Sequence, residues 1–223
     1  MHSGVIIVTG MQREARIVGR GGEAIVSGGN VAGLSDKIAL AIARGARAVV
    51  SAGICGGLAP ALGVGSIVIA DAVVISDERI PADAQWADAL ASRLPHAARG
   101  AIAGSDAIVA AAADKAALHR ATGALAADME SHVAARLAAA HGLPFAALRV
   151  VSDSADHSLP PAVARALGPD GRPRIGTVLA SVAARPLQIP ALIRTARDSE
   201  RALAELLRCL DLVGVAFACP YLG

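Results

Sequence analysis

Gly123-Ala-Leu-Ala-Ala-Asp-Met-Glu130 and Pro144-Phe-Ala-Ala-Leu-Arg-Val-Val-Ser-Asp-Ser-Ala-Asp156 bracket one helical segment. Ala124 to Ala127 reads as a short apolar strand. Ser131 to His141 has helical period, with Val133, Ala134, Leu137 and Ala138 on one face. Gly142 stops that helix and Pro144 follows it, the usual order at a C-terminus. Phe145 to Val151 is a nearly continuous apolar run, the pattern of a strand buried on both faces. Glu130 therefore stands just past the first strand and Asp153 just past the second. In α/β sheets, ligands bind at the carboxyl ends of strands.

Each acid also has an ordinary explanation. A Glu in the first turn of a helix complements the macrodipole, and an Asp after a strand forms turns. Asp-Met-Glu followed by Arg-Val-Val-Ser-Asp-Ser-Ala-Asp, however, resembles the nucleoside phosphorylase and methylthioadenosine/S-adenosylhomocysteine nucleosidase superfamily. The resemblance implies that Met129 and Glu130 hold the ribose and that Asp153 is the general acid at the purine.

Toward the N-terminus, Val5 to Val8 is the first strand, and Thr9 to Ala15 leads into a helix bearing Glu14. Gly10, Met11 and Glu14 resemble the family's Gly-x-Met with a Glu three residues after the Met, although Gly10 here adjoins Met11 directly. That Glu orients and deprotonates the attacking water in the family. Glu23 to Ser27 is a short strand in a Gly-rich stretch. Ser35 with Asp36 is the expected N-cap of a helix through Arg44, closed by Gly45. Ala48 to Ala52 is a buried strand that ends in the glycine-rich segment Gly53-Ile-Cys-Gly-Gly57, and Ser66 to Ala70 is the next strand. Glycine lets backbone N–H groups approach an anion or a ribose closely. Gly-x-x-Gly-Gly-Leu followed by Val-Gly-Ser-Ile-Val is a third resemblance to the family, in the right order. It implies that Gly10, Gly53, Ile54 and Arg149 position the nucleophile or a phosphate. Arg149 has an equal claim as a structural ion-pair partner. Bacterial phosphorylases carry an Arg and a Ser where Ser51 and Ile54 stand, and nucleosidases keep the Ser. Glu14 favours water, while Ile54 departs from both patterns.

Gly53-x-Cys55-x-Gly57 also reads as a nucleophile elbow with Cys in the Ser position. An elbow needs a helix directly after the nucleophile. Gly56, Gly57, Pro60, Gly63 and Gly65 would break one, so Cys55 is taken as a small buried residue.

Asp83 to Leu94 is a helix with Trp86, Ala87 and Leu90 as its apolar face, and Gly100 to Gly104 is a strand. Ser105 to Val109 leads into an Ala-rich helix, Ala110 to Thr122. The resemblance places Ile108, Val109 and Ser152 at the base, with aliphatic side chains where the family often has an aromatic ring. Pro160 to Leu167 is a short helix, Gly168 to Gly176 a loop, and Thr177 to Ala184 another helix. Pro190 opens a long helix to Leu210. Its apolar face includes Leu192, Ile193, Ala196, Leu203, Leu206 and Leu207, and Arg194–Asp198 and Arg201–Glu205 have ion-pair spacing. Arg185 to Asp198 resembles the hopanoid-associated branch of the superfamily. The apolar tail Leu212 to Leu222, interrupted by Gly214 and Pro220, is a packed or partner-covered segment that could lie near the entrance of a lipid-handling site.

Composition bounds the rest. The 223 residues are 54% hydrophobic and 18% charged with formal net charge +2, which suits one folded domain over 1–223 and gives no basic stripe for nucleic acid. Aromatics are 2%, too few for base-stacking platforms. Three cysteines without a C-x-x-C pair, and no signal peptide, point to a reducing, cytoplasmic setting. The six histidines include no pair at ligand spacing, so no metal is expected.

The reading is a single-domain, three-layer α/β fold with a mixed, twisted central sheet flanked by helices. The resemblance implies a homodimer without a cofactor, inorganic phosphate being the alternative co-substrate. It also implies cleavage of an adenine nucleoside, with adenosylhopane as the preferred substrate and peripheral membrane contact admitted. Methylthioadenosine/S-adenosylhomocysteine nucleosidase is the alternative. A nucleoside-binding protein without turnover is the second, disfavoured because a binder needs no general acid.

Overall fold

The structure, a computed structural model, describes residues 4–28, 30–164 and 175–222. In chain order the elements are β1 (Val5–Thr9), α1 (Gln12–Val18), β2 (Glu23–Val26), α2 (Val31–Ala43), β3 (Ala48–Gly57), β4 (Ile67–Ile75), β5 (Glu78–Pro81), α3 (Ala84–Arg93), β6 (Ala98–Gly104) and α4 (Ala112–Thr122). They continue with β7 (Ala126–Asp128), α5 (Ser131–Ala140), β8 (Phe145–Asp153), α6 (Pro161–Ala164), α7 (Ile175–Ala184) and α8 (Ile189–Val213).

The sheet is mixed and partly closed. β2, β1 and β3 are parallel neighbours. β3 then pairs in parallel with β8, and β8 runs antiparallel to β4. β4 is parallel to β6 and β6 to β7, while the three-residue β7 returns antiparallel to the end of β3. The strands β3, β8, β4, β6 and β7 thus close a ring, and register shifts at Cys55/Gly56 and Ala70/Ala72 turn its corners.

The near-continuous apolar runs of β1, β3 and β8 are explained by cover on both faces. One core gathers Ile7, Val50, Leu148 and Val150 with Trp86 and Leu90 of α3 and Leu203 and Leu206 of α8. The other joins Val8, Val49 and Val151 to Leu34 and Ile38 of α2 and Val133 and Ala134 of α5. Helices on the two faces give the three expected layers.

Several expectations change. α2 starts at Val31, ahead of the expected cap: its N-cap is Asn30, whose side chain accepts from Gly33 N at 3.0 Å, not Ser35 with Asp36. β3 does not end at Ala52 but runs through Gly57, because β8 and β7 supply ladder partners to the glycines. β5 was not legible: only Ile80 of its four residues is buried, as suits a charged edge strand. The helix expected from Pro160 is Pro161–Ala164 as described, and its remainder and most of the loop from Gly168 lie outside the described residues.

α8 is longer than expected, and only its second half is buried; Ile193 and Ala196 are exposed. Its ion pairs form at the i,i+3 spacings Asp198–Arg201 (4.0 Å) and Glu205–Arg208 (3.0 Å). Helical side chains lean toward the N-terminus, so each Arg reaches back to the acid that precedes it.

The tail packs inward. Phe217 is fully buried and its carbonyl accepts from Trp86 Nε1 at 2.7 Å. Leu222 lies over Gly4, before β1, at the end of the sheet opposite the strand ends that carry Glu14 and Asp153. Among the described residues, none of the tail lines the cavity at that edge. Among the described residues, no helix is long and apolar enough to cross a membrane.

Candidate active site

A cavity of about 290 Å³ opens at the carboxyl ends of β1, β3, β7 and β8. It collects most of the residues singled out from sequence. Gly10, Glu14 and Ile54 line one part, Met129 and Glu130 the next, and Ile108, Val109, Ser152 and Asp153 the far side. Gly53 and Arg149 lie behind the wall rather than in it.

Glu14 is both a helix cap and a cavity residue. Its Oε2 accepts from Thr9 Oγ1 (2.8 Å), Gly10 N (3.0 Å) and Met11 N (2.7 Å). Its Oε1 accepts from Ile54 N at 2.7 Å. The ordinary reading of Glu14, a first-turn acid satisfying free N–H groups, is therefore correct as far as it goes. The same bonds hold the carboxylate at the cavity wall.

Asp128 organises the turn from β7 into α5. Its Oδ1 accepts from Glu130 N (3.0 Å) and Ser131 N (2.8 Å), and Ser131 Oγ donates to its Oδ2. Arg149, fully buried, lies against this group. Its Nε is 2.7 Å from Asp128 Oδ2, angled away from the N–H direction, so the contact is charge attraction rather than a directed bond. Its Nη2 donates to Ser51 Oγ at 2.6 Å and lies 3.4 Å from Glu130 Oε2. Arg149 thus makes the structural ion pairs of its second reading, to Asp128 and Glu130.

Glu130 is buried, with Ser27 Oγ donating to Oε1 at 2.8 Å. Burial pushes its carboxyl up to about 7; Arg149 opposes the rise, and Asp128 and Glu14 add to it. Two glycines make this crowding feasible. A Cβ on Gly10 would lie 2.9 Å from Glu130 Oε1, and one on Gly53 would lie 2.5 Å from Glu14 Oε1 and 2.8 Å from Arg149 Nη1. Gly10 and Gly53 thus leave space for carboxylates.

Asp153 ends β8 on the opposite side. Ser152 Oγ donates to its Oδ1 at 2.8 Å. Lys115, from α4, is completely buried and places Nζ 2.5 Å from Asp153 Oδ2. The same ammonium donates to the carbonyls of Ser154 and His157, each at 2.9 Å. Among the described residues, the charged partner of Asp153 is this cation and not a second carboxylate.

Sequence reasoning missed Lys115, Asp128, Ser51, Thr9 and Ser27. Lys115 looks like an ordinary solvated lysine in an Ala-rich helix, and its only signal was its place three residues before the apolar Leu118. Asp128 stood in the Asp-Met-Glu motif, where its capping position was readable. The two serines and Thr9 carry no local signal.

The remaining wall is aliphatic. Ile54, Leu58, Ile108 and Val109 face the cavity, and no aromatic side chain is among its lining residues. Leu159, Val163, Thr195, Ser199 and Leu203 close the other side. Cys55 is buried in mid-strand with its thiol pushed well up by burial, the opposite of an activated nucleophile. Among the described residues, no group of three or more His, Cys, Asp or Glu is placed to hold a metal ion.

A partly closed mixed sheet with carboxylates gathered at its strand ends defines an α/β enzyme. The chain belongs to the Phosphorylase superfamily, whose family profile matches residues 2–184. No protein of curated function matches it by sequence. Among solved structures it is similar to the 5′-methylthioadenosine/S-adenosylhomocysteine nucleosidase of Neisseria meningitidis in complex with methylthio-immucillin-A (TM-score 0.68, 19% identity, 94% of this chain and 97% of that one). It is also similar to the MTA/SAH nucleosidase of Streptococcus pneumoniae in complex with 8-aminoadenine (TM-score 0.64, 20% identity, covering 93% and 99%). A third is the S-adenosylhomocysteine nucleosidase of Streptococcus pyogenes in complex with 5-methylthiotubericidin (TM-score 0.62, 19% identity, covering 95% and 97%). At these identities the likeness is one of fold.

Proposed function

We propose that this protein hydrolyses the N-glycosidic bond of an adenine nucleoside substituted at ribose C5′, releasing adenine. The substrate class follows the methylthioadenosine and S-adenosylhomocysteine nucleosidases whose fold it shares. The observation that carries the reading is one cavity lined by three acids at different places, Glu130 beside Gly10, Glu14 beside Gly53 and Asp153 beside Gly56. Breaking the bond builds positive charge on the ribose and negative charge on the departing base. Glu130 accepts from the ribose hydroxyls and, with Glu14, faces the cationic sugar. Glu14, whose Oε1 has one donor, aims and deprotonates a water. Asp153 delivers a proton to the purine.

Water is favoured over phosphate by charge. Among the described residues, the cations in the cavity wall or directly behind it are Arg149, spent on Asp128 and Glu130, Lys115, paired with Asp153, and Arg13, paired with Glu200. A phosphate would enter a cavity lined by Glu14, Asp128, Glu130 and Asp153 without an unpaired cation among these.

The C5′ substituent lies toward Leu159, Val163 and Leu203 in this reading. A cavity of about 290 Å³ suits a nucleoside with a small thioether. One observation favours a second reading, a long hydrocarbon as in adenosylhopane. Leu187, Ile189 and Ile193, exposed by 95%, 42% and 49%, precede Thr195 and Ser199 of the cavity wall and offer apolar surface outside it.

The test is adenine release from methylthioadenosine, S-adenosylhomocysteine and an adenosine with a long 5′ hydrocarbon chain in mild detergent, each with and without phosphate. The thioethers are expected to win in kcat/KM, with no phosphate requirement. Preference for the hydrocarbon would move the assignment to the second reading, and phosphate dependence would make the enzyme a phosphorylase. Asp153→Asn should keep binding and lose turnover by about a hundred- to ten-thousand-fold; near wild-type turnover would remove Asp153 as the acid.

A further inference from the structure

Asp153 touches two groups that carry a proton. One is the hydroxyl of Ser152, 2.8 Å from Oδ1. The other is the ammonium of Lys115, 2.5 Å from Oδ2. Of the two, the ammonium is the charged donor, and its proton can leave without forming an alkoxide. Lys115 also lines the cavity, although no part of its side chain is open to solvent. Its other two bonds, to the carbonyls of Ser154 and His157, fix the loop that follows β8. A lysine needed only to close that loop would find enough acceptors in the backbone. Here its third bond goes to the carboxylate that faces the base.

We propose that Lys115 is a positioning residue that supplies, through Asp153, the proton taken by the leaving purine. The inference rests on the hydrolase reading given above. As the C1′–N9 bond breaks, its electron pair goes to the purine. Lys115 Nζ passes a proton to Asp153, and the carboxyl passes one to the purine N7. Adenine departs neutral, Lys115 is left as an amine, and the carboxylate is restored. The proton lost by the attacking water goes to Glu14 and then to solvent. After adenine leaves, the amine is recharged from solvent and the pair with Asp153 re-forms.

The discriminating experiment varies the leaving group. A 4-nitrophenyl riboside departs as a stabilised phenolate and needs no proton, whereas adenine does. Lys115→Gln, which keeps a donor for the loop but no transferable charge, should lower kcat for methylthioadenosine by about a hundredfold with KM nearly unchanged. Its kcat for the nitrophenyl riboside should fall far less. Lys115→Arg, which restores charge and donors, should recover part of the adenine activity. Thermal melting of each variant identifies any that fails to fold, and Lys115→Arg then carries the same two-substrate comparison. Equal losses on both substrates, or no loss on either, would overturn the proton role while wild-type adenine release left the hydrolase reading intact. Wild-type protein that releases no adenine would sink the function and this inference with it.

Discussion

The two halves of the cavity solve opposite electrostatic problems. On the ribose half, Glu14, Asp128 and Glu130 crowd around one buried cation, Arg149; burial, with the surplus negative charge of Asp128 and Glu14 adding to it, raises the Glu130 carboxyl to about 7. On the base half, one carboxylate, Asp153, meets one buried ammonium, Lys115. The first half is arranged to face a developing cation. The second holds a proton-bearing group beside the place where negative charge develops. The difference lies in the chain's own partners: α1, β7 and the start of α5 bring acids together around Arg149 of β8, while α4 brings Lys115 across to Asp153.

The sharpest way to break this contrast is to remove the acid that compensates Arg149. Asp128→Asn keeps an oxygen to cap α5 but leaves Arg149 short of a counter-charge. It should destabilise the protein by about 3–5 kcal/mol, read from the denaturant midpoint. A loss under about 1 kcal/mol, the worth of an exposed pair, would mean that Glu130 compensates Arg149 alone.

Glu130→Gln tests the surplus charge through pH. The folded carboxyl is raised from 4.5 to about 7, so between those values the native state binds more protons than the unfolded one. Stability of the wild type therefore falls as pH rises across that window, by up to about 3 kcal/mol. Glu130→Gln should flatten the fall and be the more stable protein above pH 7. Nucleoside binding should run the other way, because ribose hydroxyls donate to the charged carboxylate: KM of the wild type should drop as pH rises through about 7. Parallel stability curves for the two proteins would remove Glu130 as the titrating group.

Gly53→Ala puts a methyl group between Glu14 and Arg149, where 2.5 and 2.8 Å are available. A cost of about 1–3 kcal/mol is expected, typical of overpacking, together with weaker turnover because Glu14 must move. Unchanged stability and kinetics would show that the ribose half yields more easily than its packing implies. The smallest effect belongs to the rim, where Arg13 forks onto Glu200, with Nη2 to Oε2 at 2.8 Å. Both side chains are more than half exposed, so Glu200→Ala should cost no more than about 1 kcal/mol. A larger loss would mean that this pair, rather than the buried clusters, holds α1 against α8.

Much of this was readable in advance because it is local. Apolar runs bounded by glycine and proline marked β1, β3, β8 and α5, and acids just past strand ends marked Glu14, Glu130 and Asp153. What failed was also local in cause. The cap was placed at Ser35 with Asp36 and not at Asn30 because all three residue types can cap a helix, and type alone does not choose among them. β3 was cut short at Gly53 because glycines read as punctuation, whereas β7 and β8 give their backbone groups ladder partners. The apolar residues in the first half of α8 were assigned to the core by period alone, and period cannot say whether a neighbour is present to cover them.

The sequence by itself determined the strand-and-helix order apart from β5, the family resemblance and the acids, since these depend on residue type and short spacing. The tertiary structure alone decided their partners. Lys115 and Asp153 are 38 positions apart in the chain, and Ser51 and Arg149 98 apart, yet each pair is in hydrogen-bond contact. Closure of β3, β8, β4, β6 and β7 into a ring makes those contacts, and burial then turns ordinary side chains into a charged network. A lysine or an arginine written in a line of letters has no environment. It acquires one only when the fold removes water and leaves a particular carboxylate in its place.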